Sequence, residues 1–158
     1  FLESAMKNYE EMMNVNMYSL VALTHLFLND MVERKDGGII NISSLASFQS
    51  IPYFSMYAAS KAFVTSFTVG VYEEYRSSGI KVLGVCPGYT NTAMAHQAVD
   101  KIIEATGRSR EQAMTELLET SSQDRLIEPE EVADTVIWLC RQESMNGQAI
   151  AIAGGEAV

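Results

Sequence analysis

The sequence contains little cysteine and histidine, and this scarcity excludes two classes of protein. Its 158 residues include two cysteines, Cys86 and Cys140, and two histidines, His25 and His96. Two cysteines are too few for the disulfide framework that stabilises small secreted domains. The four residues also lack the close spacing of a zinc site, so no metal site is predicted. Because each cysteine follows an apolar residue, we expect two buried thiols in a reducing compartment.

Basic residues and long apolar runs are also scarce. Lysine and arginine total 11 against 20 aspartates and glutamates, which gives a formal net charge of −9. This balance argues against a surface for nucleic acid or anionic lipid. No uninterrupted apolar run approaches the roughly 18 residues of a membrane-spanning helix, and no signal peptide is recognisable. The composition, 47% hydrophobic and 20% charged, is typical of a globular domain. We therefore predict a cytoplasmic protein with a single domain over residues 1–158.

The sequence does contain an alternation of strand and helix patterns. Two short β-branched runs, at 39–42 and 80–86, flank a helical pattern that Ser55 is predicted to cap and that continues to about residue 77. A strand, a helix and a second strand form a crossover unit, which is right-handed and makes the two strands parallel. A third strand is predicted at 148–153. Ligands of such open α/β sheets bind at the carboxyl edge of the strands.

Further helices are predicted on either side of this unit. Residues 3–33 read as one long helix that is apolar nearly all round, so we expect it to be buried on more than one side. Two helical patterns occupy 94–105 and 110–120. Pro129 begins a helix that runs to about Arg141 and has acidic residues in its first turn. The side chains that this last helix is predicted to bury are Val132, Val136, Ile137 and Leu139.

Ser44, Tyr57 and Lys61 form the constellation with the clearest chemistry. Ser44 follows the first strand, and after a loop broken by Pro52 the next helix carries Tyr57 and Lys61 on one face, four residues apart. A tyrosine hydroxyl can pass a proton to or from the oxygen of an alcohol or carbonyl compound. The Lys61 ammonium would favour the phenolate form that such transfer needs, and Ser44 would hydrogen-bond the substrate oxygen. Tyr-x-x-x-Lys alone arises often by chance, and its plain alternative is a surface lysine beside a half-buried tyrosine.

The wider spacing makes the constellation specific. Asn16 lies 28 positions before Ser44, Ser44 lies 13 before Tyr57, and Pro87-Gly88 followed by Thr92 comes after the second strand. This pattern resembles the short-chain dehydrogenase/reductase family. The resemblance implies a Rossmann-like, doubly wound parallel sheet with three clear strands in this chain. It also implies functional roles for seven positions: a catalytic tetrad of Asn16, Ser44, Tyr57 and Lys61, and a cofactor site made by Tyr57, Lys61, Pro87, Gly88 and Thr92.

One part of the family pattern has no counterpart in these residues. The Gly-rich turn, the residue that reads the adenosine ribose and the Asn-Asn-Ala-Gly segment are missing, and no G-x-G-x-x-G cluster occurs. We therefore interpret the chain as the C-terminal portion of a longer Rossmann domain, with about 92–126 as a substrate-covering insertion. The cofactor is expected to be NAD or NADP, and the residues that would choose between them are not in the sequence.

The predicted function is that of an NAD(P)-dependent oxidoreductase that interconverts an alcohol and a carbonyl compound. In the resembling family, Asn16 would order a water in a proton relay and Tyr57 would act as the general acid or base. Two alternatives stay open: a non-catalytic binding or regulatory protein on the same scaffold, and a fragment that is inactive by itself. The resemblance also implies a homodimer or homotetramer with a small-molecule partner, and no partner of nucleic acid or membrane type is expected.

Overall fold

The computed structural model describes residues 1–2, 4–49, 54–119, 121 and 123–155. These residues form three parallel strands and six α-helices, with a five-residue π-helical segment and a short 3₁₀ turn. The elements, in chain order, are α1 (Met6–Met13), the π-helical segment (Asn14–Tyr18), α2 (Ser19–Arg34), β1 (Gly37–Ile42), the 3₁₀ turn (Leu45–Ser47), α3 (Ser55–Tyr75), β2 (Ile80–Pro87), α4 (Ala93–Thr106), α5 (Arg110–Leu117), α6 (Pro129–Arg141) and β3 (Ala149–Ile152).

The sheet has the order β1-β2-β3, and both of its pairings are parallel. Gly37 of β1 lies opposite Ile80 of β2, while Gly84 of β2 lies opposite Ala149 of β3. The central strand is buried, as a parallel strand covered on both faces must be. This arrangement confirms the predicted α/β class with a Rossmann-like parallel sheet, because helices flank the strands and connect them in sequence.

Two clusters of buried side chains join the sheet to its helices. On one face, Val82 and Ile80 of β2 pack with Leu28 of α2 and Val71 of α3. On the other face, Leu83 and Val85 of β2 pack with Leu139 of α6. Alternate residues of β2 thus face opposite layers, as the pleat requires. Fully burying one such side chain contributes about 1.5–3 kcal/mol, so the central strand fixes both helical layers.

The long N-terminal helix differs from the prediction in two ways. It begins at Met6 rather than at residue 3, which lies outside the described residues, and its i→i+4 pattern is interrupted by the π-helical segment. Its apolar residues are also largely exposed, since α1 buries none and α2 buries only Thr24 and Leu28 in this chain. The exposed members include Tyr18, Leu23, Leu26 and Phe27, which are 53–73% exposed.

Three smaller expectations need correction. Ser55 is the first residue of α3 rather than its cap, because Phe54 holds the cap position without a side-chain hydrogen bond. Ile137 is 49% exposed, although its neighbour Leu139 is fully buried. Of the two thiols, Cys86 is buried and Cys140 is exposed. In the last two cases the residue lies on the outer side of α6, where no described element covers it. Pro52 lies outside the described residues, together with residues 50, 51 and 53.

The region between β2 and α6 forms a helical hairpin. Helix α4 agrees with the pattern predicted at 94–105 to within one residue at each end, whereas α5 begins at Arg110 as predicted but ends at Leu117 instead of continuing to residue 120, which lies outside the described residues. Val99 and Ala113 are fully buried between them, and Arg110 pairs with Asp100 at 2.9 Å. Ser109 caps α5 through a reciprocal capping box with Gln112. The hairpin therefore has its own small core and surface ion pair.

Across the ranges that the structure describes, no helix has the length and apolar character needed to cross a bilayer. Within the same ranges, no group of three His, Cys, Asp or Glu side chains is arranged to hold a metal ion.

Candidate active site

Tyr57 and Lys61 lie one turn apart on α3, beside the carboxyl end of β1. Lys61 Nζ is 5.8 Å from the centroid of the Tyr57 ring and donates a hydrogen bond to the main-chain oxygen of Ile42 at 3.0 Å. Ile42 is the last residue of β1, so this bond ties the lysine side chain to the strand end. Burial lowers the pKa of Lys61 from its ordinary value, and the interaction with Cys86 opposes that shift. A lysine in this state releases its proton more readily than an exposed lysine does.

Ser44 follows β1 by two residues and begins the 3₁₀ turn. Its backbone is extended, with φ −163° and ψ 156°, and its Oγ accepts a hydrogen bond from the N–H of Ala46 at 3.2 Å. A serine hydroxyl has one hydrogen to donate and two lone pairs to accept with. Because the bond to Ala46 uses only a lone pair, the Ser44 hydroxyl still has a hydrogen to offer to a substrate oxygen.

Asn16 lies at the centre of the π-helical segment and contacts α3. Its Nδ2 donates to Ser60 Oγ at 3.0 Å, and Ser60 Oγ in turn donates to the main-chain oxygen of Tyr57 at 2.7 Å. A π-helical turn inserts one extra residue into a helix and is frequent at functional sites. The segment thus brings an asparagine 41 positions upstream in sequence into a two-step contact with Tyr57.

A cleft of about 330 Å³ lies between the end of α1, the π-helical segment, α3 and the start of α4. Tyr57, Lys61 and Asn16 form its polar part. Its lining is completed by Glu11, Met12, Val15 and Met94. Three predicted tetrad residues therefore share one cleft, while Ser44 is outside this lining and stands at the adjacent strand end. Glu11 also faces Lys7 at 3.8 Å, in an exposed pair of small energetic weight.

The predicted cofactor segment extends from the end of β2 to the start of α4. Pro87 is the last residue of β2, and the N–H of Gly88 donates to the main-chain oxygen of Ile152 at 2.8 Å. Thr92 holds the cap position of α4 in an extended conformation, and its Oγ1 donates to the main-chain oxygen of Thr90 at 3.3 Å. Since Met94 of the same α4 lines the cleft, this segment lies at the same edge of the sheet as Tyr57 and Lys61.

The family model for short chain dehydrogenase matches residues 1–103, which include Asn16, Ser44, Tyr57, Lys61 and the Pro87–Thr92 segment. The chain belongs to the short-chain dehydrogenase family. The family relationship agrees with the parallel sheet and with the position of the cleft at its carboxyl edge.

Named relatives in this dehydrogenase family differ in their substrates. A duck (Anas platyrhynchos) very-long-chain 3-oxoacyl-CoA reductase is 44% identical over 89 residues, which cover 56% of this chain and 28% of the reductase. A Bacillus subtilis (strain 168) 2-dehydro-3-deoxy-D-gluconate 5-dehydrogenase is 32% identical over 151 residues, which cover 94% of this chain and 56% of that enzyme. A crystal structure of an actinorhodin polyketide ketoreductase variant with NADPH superposes with a TM-score of 0.90 at 29% identity. That match covers 98% of this chain and 60% of the ketoreductase, so the chain spans less than two thirds of each of these relatives.

The structure brings to the site several residues to which the sequence analysis assigned no role. Met12 and Val15 line the cleft. Ser43 donates a hydrogen bond to the main-chain oxygen of Lys61, and Ser60 donates one to that of Tyr57. The bond from Ser43 to the Lys61 oxygen spans 18 residues, and only the packing of α3 on β1 brings its partners together, so it has no local signal. The bond from Ser60 to the Tyr57 oxygen spans three residues of one helix, so the helical spacing of the two residues is the signal that could have indicated it.

Proposed function

We propose that the protein containing these residues is an NAD(P)-dependent oxidoreductase that interconverts an alcohol and a carbonyl compound. The observation that supports the proposal most directly is the cleft in which Tyr57, Lys61 and Asn16 meet at the carboxyl edge of a parallel sheet. Ligands of open α/β sheets bind at this edge. A phenol, an ammonium group and an amide are also the donor and acceptor groups that an alcohol or carbonyl oxygen needs.

In the proposed reaction, Tyr57 handles the proton. During carbonyl reduction its hydroxyl donates a proton to the substrate oxygen, and during alcohol oxidation the phenolate accepts that proton. The Lys61 ammonium, 5.8 Å from the ring, stabilises the negative charge that the phenolate carries. The Ser44 hydroxyl orients the substrate oxygen toward Tyr57, and Asn16 holds a water through which the proton is replaced.

Residues at the same sheet edge would hold a nicotinamide cofactor. When bound, the cofactor would supply the hydride for carbonyl reduction or accept it in alcohol oxidation. Lys61 fits a ribose, because an ammonium group has three N–H donors and Ile42 accepts one of them. Pro87, Gly88 and Thr92 would border the nicotinamide, since they occupy the same sheet edge. The ketoreductase of similar fold was crystallised with NADPH, which supports NADP as one of the two candidate cofactors.

The cleft lining favours a carbonyl substrate with an apolar portion. Met12, Val15 and Met94 supply apolar surface, and methionine side chains adapt to ligands of different shape. Because Met94 of α4 lines the cleft, we propose that the hairpin of α4 and α5 covers a bound substrate, as interpreted from the sequence for residues 92–126. Among the relatives, the 3-oxoacyl-CoA reductase suits this lining better than the sugar-acid dehydrogenase does.

We also propose that the protein is a homo-oligomer that pairs through α2 and α3. The exposed side chains of Leu23, Leu26 and Phe27 on α2 and of Val69 on α3 support this proposal. Large exposed apolar side chains that lie close together on a soluble protein often mark a protein–protein contact. A two-fold, self-complementary contact would cover these side chains.

Replacing Tyr57 by phenylalanine tests the proposed function. Tyr57→Phe should lower kcat by about 10²–10⁴-fold, the usual contribution of general acid-base catalysis, while NADPH affinity stays close to that of the wild type. Tyr75→Phe is the matched control, since it removes a phenol hydroxyl from the same helix outside the cleft. A Tyr57→Phe rate equal to the Tyr75→Phe rate would overturn the assignment. A protein that binds NADPH but reduces no carbonyl compound would support the binding-protein alternative.

A further inference from the structure

Ser43 holds the main chain of Lys61 at the end of β1. Its Oγ donates to the main-chain oxygen of Lys61 at 2.9 Å and is 2.8 Å from Thr65 Oγ1. The side chain is almost fully buried, with 3% exposure. The preceding residue, Ile42, accepts the hydrogen bond from Lys61 Nζ. Two successive residues at the end of β1 therefore fix the same lysine: Ser43 binds its backbone oxygen, and Ile42 binds its ammonium group.

Ser60 makes a similar bond to Tyr57, but from within the same helix, α3. Its Oγ donates to the main-chain oxygen of Tyr57 at 2.7 Å and accepts from Asn16 Nδ2 at 3.0 Å. Ser60 is 1% exposed, so these bonds are shielded from water. A buried hydroxyl needs partners, and this one connects the π-helical segment with the first turn of α3.

The two serines act on the pair of residues that the mechanism needs most. In an α-helix each carbonyl oxygen already accepts the N–H of the residue four positions later. The oxygens of Tyr57 and Lys61 have a second lone pair, and a serine hydroxyl occupies it in both cases. We propose that Ser43 and Ser60 are positioning residues. Their hydrogen bonds hold Lys61 and Tyr57, respectively, in the correct positions relative to Ser44 and Asn16. This inference rests on the proposed oxidoreductase function.

A third bond of the same kind provides a matched control. Asn41 Nδ2 donates to Thr68 Oγ1 at 2.9 Å, and Thr68 Oγ1 donates to the main-chain oxygen of Val64. Asn41 and Thr68 are 6% and 0% exposed, so this strand-to-helix bond is as buried as the two serine bonds. Thr68 lies two turns beyond Lys61 and bonds no tetrad residue. Its loss should weaken the packing of α3 on β1 without moving the catalytic pair.

The experiment compares Ser43→Ala, Ser60→Ala and Thr68→Val in the protein that contains these residues. All three variants should unfold at a lower temperature than the wild type, because each loses a buried hydrogen bond. Below the unfolding transition, Ser43→Ala and Ser60→Ala should lower kcat by about tenfold or more, since small misplacements of catalytic groups have large effects on rate. Their substrate KM should change little, because the cleft walls remain. Thr68→Val should keep the wild-type kcat.

Conservative variants and Tyr57→Phe separate the possible outcomes. Ser43→Thr and Ser60→Thr retain the hydroxyl and should restore most of kcat. If an alanine variant does not fold, Ser43→Cys or Ser60→Cys replaces it, since a thiol is a weak donor of similar size. Wild-type kcat in the serine variants, or an equal loss in Thr68→Val, would overturn the inference. If Tyr57→Phe still lowers kcat by about 10²-fold or more in that case, the proposed function stands and only the positioning role fails.

Discussion

Asn146 serves as a strand partner for Val82. Its Oδ1 accepts the main-chain N–H of Val82 at 2.7 Å, and its Nδ2 donates to the main-chain oxygen of Ile80 at 3.1 Å. β3 begins only at Ala149, whose partner is Gly84, so it does not reach the first residues of β2. The asparagine side chain therefore satisfies backbone groups that a longer β3 would otherwise pair. Such groups are costly to bury without partners.

Asn146→Ala should destabilise the fold. The substitution leaves the Val82 N–H and the Ile80 carbonyl without this partner, and each unsatisfied buried group costs about 1–3 kcal/mol. Urea unfolding followed by circular dichroism measures the free energy of unfolding. Asn29→Ala, on the exposed face of α2, is the control and should change this free energy little. Equal stability of the two variants would contradict the strand-partner role of Asn146.

Gly147→Ala should also destabilise the protein, by about 2 kcal/mol or more, because the change forces a clash and an unfavourable backbone angle. Gly147 has a φ of +67°, and a Cβ added there would lie 2.2 Å from the Tyr72 ring. Gly70 is the matched control, because nothing lies within 4 Å of a Cβ built on it. Gly70→Ala in the interior of α3 should stabilise by about 0.5–1 kcal/mol. Thermal unfolding of both variants should therefore shift in opposite directions.

Lys61 should make stability depend on pH in a defined direction. Burial lowers its folded-state pKa, so between that value and the ordinary value of 10.5 the unfolded chain binds more protons, and stability rises with pH. Lys61→Met should therefore be more stable than the wild type near neutral pH, and the difference should shrink as the pH approaches 10.5. Urea unfolding over this range measures it. Lys101→Met, on the exposed side of α4, is the control. A Lys61→Met variant less stable than the wild type at neutral pH would contradict the prediction.

The proposed oligomer should dissociate when its apolar face is charged. Leu26 is 64% exposed on α2, so Leu26→Glu adds a charge there without disturbing the core. Light scattering at micromolar concentration should give a multiple of the chain mass for the wild type and a smaller mass for the variant. Ile137 is a second exposed apolar residue, on α6. Ile137→Glu tests whether the oligomer contact forms there instead of through α2 and α3. A wild-type monomer would refute the proposed contact.

Residues 1–158 by themselves should bind NADH and NADPH only weakly. The sequence contains no G-x-G-x-x-G cluster, and such a turn normally holds the pyrophosphate at a helix N-terminus. Lys61, Pro87, Gly88 and Thr92 would then contact only the nicotinamide end. Isothermal titration calorimetry of the 158-residue chain measures the affinity. Binding with a micromolar Kd would contradict the prediction and show that these residues suffice to hold the dinucleotide.

The sequence by itself determined the order and type of the main elements. The β-branched runs predicted β1 and β2 within about two residues, and Pro129 with the acidic residues after it predicted the start of α6. These signals are local, because a strand or a helix end depends on residues within a few positions of each other. The spacing of Asn16, Ser44, Tyr57 and Lys61 likewise indicated the family before any contact was known.

Only the tertiary structure decided which side chains meet. The bond from Asn16 to Ser60, the bond from Ser43 to the main chain of α3 and the strand-like role of Asn146 each join residues whose contact no periodicity encodes. The same holds for exposure, since Ile137 and Leu139 are both apolar residues of α6 but only Leu139 faces the sheet. Local sequence sets the backbone conformation of each element. The position of one element against another depends on how all their side chains pack together, and this packing gives Lys61 its lowered pKa.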